Sequence, residues 1–340
     1  MTAPLRPVSL RSHAAIAATS AAVIGFQLVV MQLLAVSQWH HFAYMVISMA
    51  LLGFGAAGTA LVLMRVFLSR HYLVAVPLLY LLSGVTMATT AWLSEVFGDF
   101  DAFLLFFDRE QFALLLVLYL VYALPFFFGG LAITLVFYRE VGRIGALYFA
   151  NMAGSGLGAV LVIALLWILP ADRLPGVLAL LPLLAAWLVR PKLSGAAVGA
   201  FAGLALALPL VAIIQPAAPA PSQYKPVHAA LLLPQAEVVH RASSPYGQLE
   251  IVRADALRFA PALSLRYRAD APVSDVVFNN GEYFGHFLRW SGMPELYRIY
   301  GPRELPYLEL GFVLGEVMLV AAAAYALVAL AGPRLGGIAR

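Results

Sequence analysis

The stretch FALLLVLYLVYALPFFFGGLAITLVF, residues 112–137, contains no charged side chain. A helix needs about 20 apolar residues to cross the roughly 30 Å hydrocarbon core of a bilayer, so this stretch is long enough to span one. Pro125, followed by Gly129 and Gly130, predicts a kink within the helix. Seven further stretches are predominantly apolar, so eight spans are expected. The other seven are residues 14–37, 42–64, 72–94, 147–169, 174–189, 196–214 and 307–330.

The composition of the whole chain agrees with this pattern. Of the 340 residues, 63% are hydrophobic and 11% are charged, whereas a soluble domain has about 45–50% and 25%. So few charged side chains cannot cover a water-facing surface, which excludes a soluble enzyme. The net charge of +4 does not indicate nucleic-acid binding. A chain without cysteine can form no disulfide, thiolate zinc site or iron–sulfur cluster.

Basic residues between the predicted spans indicate how the chain is oriented. In an eight-helix arrangement the termini and short connections on one side carry ten lysines and arginines, and the short connections on the other side carry only Arg109 and Arg173. Cytoplasmic loops carry the excess of basic residues. We therefore expect a chain in a bacterial-type inner membrane with both termini on the cytoplasmic side. This orientation depends on the stretch 174–189, since every later element changes side if it does not span.

The chain is predicted to contain three parts. Residues 1–214 form a seven-helix membrane unit, residues 215–306 a small β-rich extracytoplasmic domain, and residues 307–340 the final transmembrane helix with a short cytoplasmic tail. The middle part opens on a Pro/Ala-rich linker and then shows the alternating pattern of half-buried strands. Strands are expected at 248–253, 263–268 and 276–279, with turns at 244–247 and 279–281. The expected fold class is therefore a polytopic α-helical membrane protein with a β-rich domain inserted before its last helix.

Two acidic residues, Glu309 and Glu316, lie inside the predicted last span. They are seven residues apart and so share nearly one face of the helix. A carboxylate in the membrane is costly and is a candidate functional residue for that reason. It could be a protonated group bonded to a neighbouring helix, a proton relay or a cation site.

Three other polar residues are candidates. His40 and His41 lie between the first two spans, where they fit an aromatic belt or surface position, or the ligation of haem or a metal. Adjacent histidines point about 100° apart on a helix and make poor joint ligands for one metal. Asn151 lies in the fifth span and is a candidate for a hydrogen bond between helices.

Glycine motifs in the spans match nucleotide-binding patterns only in their letters. GFGAAG at 53–58 lacks the preceding strand that a dinucleotide-binding loop requires. Together with Gly154, Gly156 and Gly158 it predicts seams where helices pack closely. No nucleophile with a neighbouring base is apparent either. We therefore predict no catalytic, cofactor-binding or metal-binding residue, and enzyme activity is not expected.

Four runs carry a resemblance to a known family: WHHFAYMVISMALLGFGAAG (39–58), LYFANMAGSGLG (147–158), SSPYGQLEIV (243–252) and VFNNGE (277–282). They resemble the membrane part and the small β-stranded domain of the fused spermidine/spermine synthase-like family. The resemblance implies a multi-helix membrane unit joined to an aminopropyltransferase-like domain.

The chain departs from that family at several positions. Gln27 and Gln32 stand where the family has an acidic residue and an arginine, and Asn280 stands where an aspartate is expected. The nucleotide-binding domain should begin after Tyr307, but the sequence continues there into the predicted last helix. The family's catalytic residues therefore have no matching positions here.

These observations favour a non-catalytic membrane subunit or scaffold that docks a protein partner through its outer β-domain within a larger membrane complex. Its surroundings would be the lipid bilayer, with no cofactor and no nucleic acid. One alternative is a transporter-like protein for a small cation or polyamine that uses Glu316. The other is the membrane half of a split aminopropyltransferase-like enzyme.

Overall fold

A computed structural model describes residues 10–38, 40–96, 100–190, 195–217, 221–258 and 273–288. Most of this part of the chain is helical, and a four-stranded antiparallel sheet follows the long helices. The eight helices are α1 Leu10–Ser37, α2 His40–Arg70, α3 Tyr72–Val96, α4 Arg109–Arg139, α5 Ile144–Leu165, α6 Leu174–Val189, α7 Gly195–Ile214 and α8 Pro226–Leu231. The strands are β1 Glu237–Ser244, β2 Gly247–Arg258, β3 Val273–Asn279 and β4 Glu282–Leu288.

Among the described residues, six helical segments are long and apolar enough to cross a membrane, one for each of the first six predicted spans. The fourth segment, Arg109–Arg139, contains the opening stretch, and Pro125 lies inside it. The sixth segment, Ala171–Val189, reaches spanning length because a short 3₁₀ turn precedes α6. In α7 the part Ala205–Ile214 is apolar. The predicted eighth span, 307–330, lies outside the described residues.

Helix α1 packs against α5, α6 and α2, and α4 packs against α2 and α3. Some of the glycines predicted to form seams do so. Gly154 and Gly158 of α5 lie against the backbone of α1 at Ala17 and Ala21, and Gly53 of α2 lies against α4. Gly156 differs, because a Cβ added there would meet nothing within 4 Å. Gly55 and Gly58 are open in the same way.

The strands lie in the order β1-β2-β3-β4, and the predicted strands at 248–253 and 276–279 are confirmed. The predicted strand at 263–268 lies outside the described residues. Residues 280 and 281 form the turn between β3 and β4 with φ of 51° and 78°, and positive φ at both central residues explains the Asn-Gly sequence. Arg253 of β2 holds Asp275 of β3 through two bonds of 2.9 Å across the sheet.

The chain forms two compact units. The first comprises the long helices together with residues 239–250 and 278–283, so it includes both tight turns of the sheet. Among the described residues, the second comprises 230–238, 251–258, 273–277 and 284–288. The features described below as the candidate site belong to the first unit.

Candidate functional site

The segment that follows α7 caps the C-terminal end of α1. The last four carbonyl groups of a helix have no partner within the helix. Here the Ser222 amide donates to the Ser37 carbonyl at 2.9 Å, and Lys225 Nζ donates to the Ala35 carbonyl at 2.6 Å. Lys225 Nζ also donates to the Asn280 carbonyl in the β3–β4 turn. One side chain thus fixes the end of α1 to a turn of the sheet.

Lys225 is a buried ammonium group, with only 1% of the residue exposed. Burial removes water from the charged form and lowers the pKa of Lys225 to about 8, while the nearby carboxylate of Glu282 acts in the opposite direction. The neutral amine keeps two N–H donors, enough for both carbonyl partners. The contact with α1 therefore does not require the charge.

The β1–β2 turn also lies against the helices. Gln32 Nε2 of α1 donates to the Pro245 carbonyl at 2.7 Å, and the rings of Trp167 and Tyr246 meet edge to face at 6.3 Å. Gln32 is one of the two glutamines of α1, with Gln27. Its amide therefore has a structural role at this end of the bundle.

A cavity of about 630 Å³ lies at the same end of the helix bundle. It is bounded by the C-terminal ends of α1 and α3, the N-terminal halves of α2 and α4, and the segment that leads into α8. The lining residues are Leu34, Ser37, Gln38, Phe42, Met45, Met49, Ser94, Glu95, Phe100, Asp101, Leu115, Leu118, Tyr122, Pro221, Ser222, Gln223 and His228.

The inner walls of this cavity are apolar and aromatic. Phe42 and Phe100 pack edge to face with ring centroids 5.7 Å apart. Tyr122 is almost fully buried, and its hydroxyl donates to Ser94 Oγ at 3.3 Å. Met45 adds a flexible, polarisable thioether to the wall. Such walls can contact an alkyl chain and can attract a cation through the aromatic rings.

The rim of the cavity carries two carboxylates in different states. Asp101 Oδ2 accepts hydrogen bonds from Gln223 Nε2 at 3.0 Å and from the Tyr224 hydroxyl at 3.1 Å. Glu95 is exposed and has no hydrogen-bond or ion-pair partner among the described residues. It lies in the last turn of α3, where the helix dipole disfavours a negative charge. A cation bound there would relieve that repulsion.

The arrangement fits an organic cation better than a metal ion. A carboxylate beside aromatic and alkyl surface matches an ammonium group on an apolar stem. The part of the chain that the structure describes contains no group of three His, Cys, Asp or Glu side chains that could hold a metal.

The structure assigns different places to the residues singled out from the sequence. Asn151 Oδ1 accepts a hydrogen bond of 2.6 Å from Ser20 Oγ of α1, so Asn151 joins two helices as predicted. His40 and His41 open α2, and their side chains lie outside what the structure describes. Glu309 and Glu316 also lie outside the described residues.

The residues around the cavity were not among those candidates. Glu95 and Asp101 belong to an acidic stretch of sequence that follows the third predicted span. His228 lies more than 100 positions further along the chain, and no local pattern links it to that loop.

In the part of the chain that the structure describes, the fold is therefore mainly helical, with six helices that could cross a membrane and a small sheet. No known protein family, curated protein sequence or solved structure matches the chain.

Proposed function

We propose that this chain is an integral membrane protein that captures a small organic cation in the 630 Å³ cavity, as a transporter-like component. The observation that carries the proposal is the position of Glu95 on the rim of a cavity with aromatic walls. Its carboxylate has no hydrogen-bond or ion-pair partner among the described residues. The cation class is an alkyl amine or polyamine, because its charge can meet Glu95 while its methylene groups contact Met45, Phe42 and Leu118.

The free energy of such a contact determines the change in affinity that the experiment should detect. A hydrogen bond to a charged group contributes about 1.5–3 kcal/mol, and less where water competes. Glu95 is exposed, so we expect roughly 1–2 kcal/mol from its contact with an ammonium group, which is about 5–30-fold in affinity.

The test is calorimetric titration of the full chain in lipid nanodiscs with spermidine, and with hexane-1,6-diol as the uncharged comparison. Glu95→Gln should weaken spermidine binding 5–30-fold. Glu110→Gln is the matched control, since Glu110 is an exposed acid in the first turn of α4 that does not line the cavity. Equal binding by the wild type and Glu95→Gln, or no heat with spermidine, would refute the proposal.

A second candidate function is that of a membrane subunit or scaffold that docks a protein partner. Among the described residues β4 is an edge of the sheet, and two of its aromatic side chains, Phe284 and Phe287, are 70% and 59% exposed. An edge strand offers unpaired backbone groups to a partner strand, and large apolar side chains beside it supply contact area.

This candidate is tested by crosslinking in the native membrane. A photoreactive residue at Phe284 should give a crosslinked partner, whereas one at Tyr246, in the β1–β2 turn, should not. A clean monomer from both positions would argue against the subunit function.

A further inference from the structure

A second, smaller cavity lies at the opposite end of the helix bundle and is not used by the proposed function. Its volume is about 230 Å³, and it is formed by the N-terminal ends of α1 and α3 and the C-terminal end of α6, with Val136 of α4. The polar residues that line it are Arg11, Ser12, Tyr72, Tyr80 and Arg190. Drug-sized ligands occupy about 300–1,000 Å³, so this cavity suits a smaller group.

Tyr80 is a fully buried residue in the wall of this cavity, with 0% exposure. Its hydroxyl has no hydrogen-bond partner within the described residues. A buried tyrosine hydroxyl normally finds a partner, and a group left without one costs stability. Tyr80 lies eight residues into α3, about 12 Å along the helix from Tyr72. Because Tyr80 is fully buried and lines the cavity, an acceptor on a bound ligand could satisfy its orphaned hydroxyl there.

Arg190 adds a second donor without a partner. Its guanidinium stacks on Trp187 with its Cζ 4.6 Å from the ring centroid. The Nη1 atom is buried and has no hydrogen-bond partner in the described part of the chain. Arg11 adds a second positive charge, and the described lining contains no aspartate or glutamate.

The N-terminus of helix α3 is a third feature of this cavity that carries positive charge. It begins at Tyr72, and the first residues of this helix, Tyr72 and Leu73, line the cavity. The free N–H groups and the positive end of the helix dipole favour an anion at such a terminus. Two arginines, an orphaned hydroxyl and a helix N-terminus therefore converge on one small space.

We propose that this cavity binds the phosphate group of an anionic phospholipid. Oxygen atoms of a phosphate would accept from Tyr80 Oη and Arg190 Nη1, the two donors that lack partners. Leu73 also lines the cavity and is 72% exposed, so apolar surface for an acyl chain adjoins the polar site. Basic pockets between membrane helices are suited to anionic lipid headgroups. Inorganic phosphate shares the headgroup's chemistry but would make no use of this apolar surface.

The test compares the full chain in nanodiscs of phosphatidylcholine alone and of phosphatidylcholine with phosphatidylglycerol. Tyr80→Phe removes only the hydroxyl, so the variant keeps the shape of the core. In mixed nanodiscs it should retain phosphatidylglycerol about tenfold less well than the wild type, measured by native mass spectrometry of the released complex. Tyr138→Phe, at a half-exposed position near the end of α4, is the matched control and should behave as the wild type.

A second readout distinguishes a lipid site from a structural role of the hydroxyl. In phosphatidylcholine alone Tyr80→Phe should unfold at the same or a higher temperature than the wild type, because it removes an unpaired buried group. With phosphatidylglycerol present the order should reverse. Equal lipid retention by the two proteins would overturn the proposal. Inorganic phosphate could also stabilise the wild type in phosphatidylcholine nanodiscs as much as phosphatidylglycerol does. That result would overturn the lipid assignment and would show a site for free anions. Binding of spermidine at the other end of the bundle is not involved in either result.

Discussion

Replacing Gly154 by alanine should weaken the packing of α5 against α1. A Cβ built at Gly154 would lie 2.6 Å from Ala17 Cα and closer still to the Ala17 carbonyl oxygen. Real Cβ contacts are essentially never shorter than 3.0 Å. The obstacle is backbone, so no side chain can rotate away, and the two helices must separate by at least several tenths of an ångström.

The magnitude follows from the cost of overpacking. Inserting a methyl group into a well-packed site costs about 1–3 kcal/mol, and alanine recovers up to about 1 kcal/mol through its better helix propensity. We therefore expect Gly154→Ala to lower the free energy of unfolding by roughly 1–2 kcal/mol. The effect should be large for one methyl group because small residues are what lets membrane helices approach closely.

Thermal unfolding of the full chain in detergent measures this effect. The matched control is Gly156→Ala, on the same helix, where an added Cβ meets nothing within 4 Å. This control should be neutral or slightly stabilising. If Gly154→Ala and Gly156→Ala unfold at the same temperature, the close contact between α5 and α1 is wrong.

Two further predictions concern polar contacts. Lys225→Met should destabilise the fold by about 2–4 kcal/mol, because two buried carbonyl groups lose their donor. The difference in free energy of unfolding between the wild type and this variant should grow from about pH 8 to pH 10.5, because the unfolded chain binds the Lys225 proton more tightly than the folded chain. Thermal unfolding across this pH range measures the difference, and a decrease would contradict the prediction. Ser20→Ala should cost about 0.6 kcal/mol and add nothing in an Asn151→Ala background, measured by a double-mutant cycle.

The long helices could be predicted from the sequence because length and apolar composition decide them. The predicted stretch 174–189 coincides with α6 although it contains Pro175 and Pro182. Pro175 stands in the first turn, where a helix does not need the missing N–H. The predicted fifth span extended to residue 169, but α5 ends at Leu165 and turns lead on to Pro170. Helix ends depend on local turns that apolar composition does not record.

The glycines of α5 show a packing detail that the sequence pattern does not predict. Gly154, Gly156 and Gly158 are spaced two apart, and the sequence treats them alike. Residues two apart on a helix point about 200° from each other, so Gly154 and Gly158 can face α1 while Gly156 faces away. The sequence predicts a seam, and only the packing shows which glycines belong to it.

The candidate cavity could be predicted only in part, for a similar reason. Asp101 lies in a stretch that is acidic in the sequence, but its hydrogen-bond partners Gln223 and Tyr224 lie 122 and 123 positions away along the chain. The burial of Lys225 could not be predicted, because a single lysine after a Pro-rich linker is usually exposed. Its burial comes from contacts with Ala35 and Asn280, at distances of 190 and 55 positions.

The two ends of the helix bundle differ in charge, and this difference connects the proposals. Glu95 and Asp101 line the cavity at one end, whereas Arg11 and Arg190 line the cavity at the other. Basic residues that orient a chain in the membrane lie on the cytoplasmic side, so the same arginines would set the orientation and hold an anionic headgroup. In the orientation predicted from the sequence, the acidic cavity would face the outside. An organic cation captured there would be drawn inward by the membrane potential, which contributes about 2.3 kcal/mol per charge for each 100 mV. An acidic site on the outer side is therefore where uptake of a cation would be expected to begin.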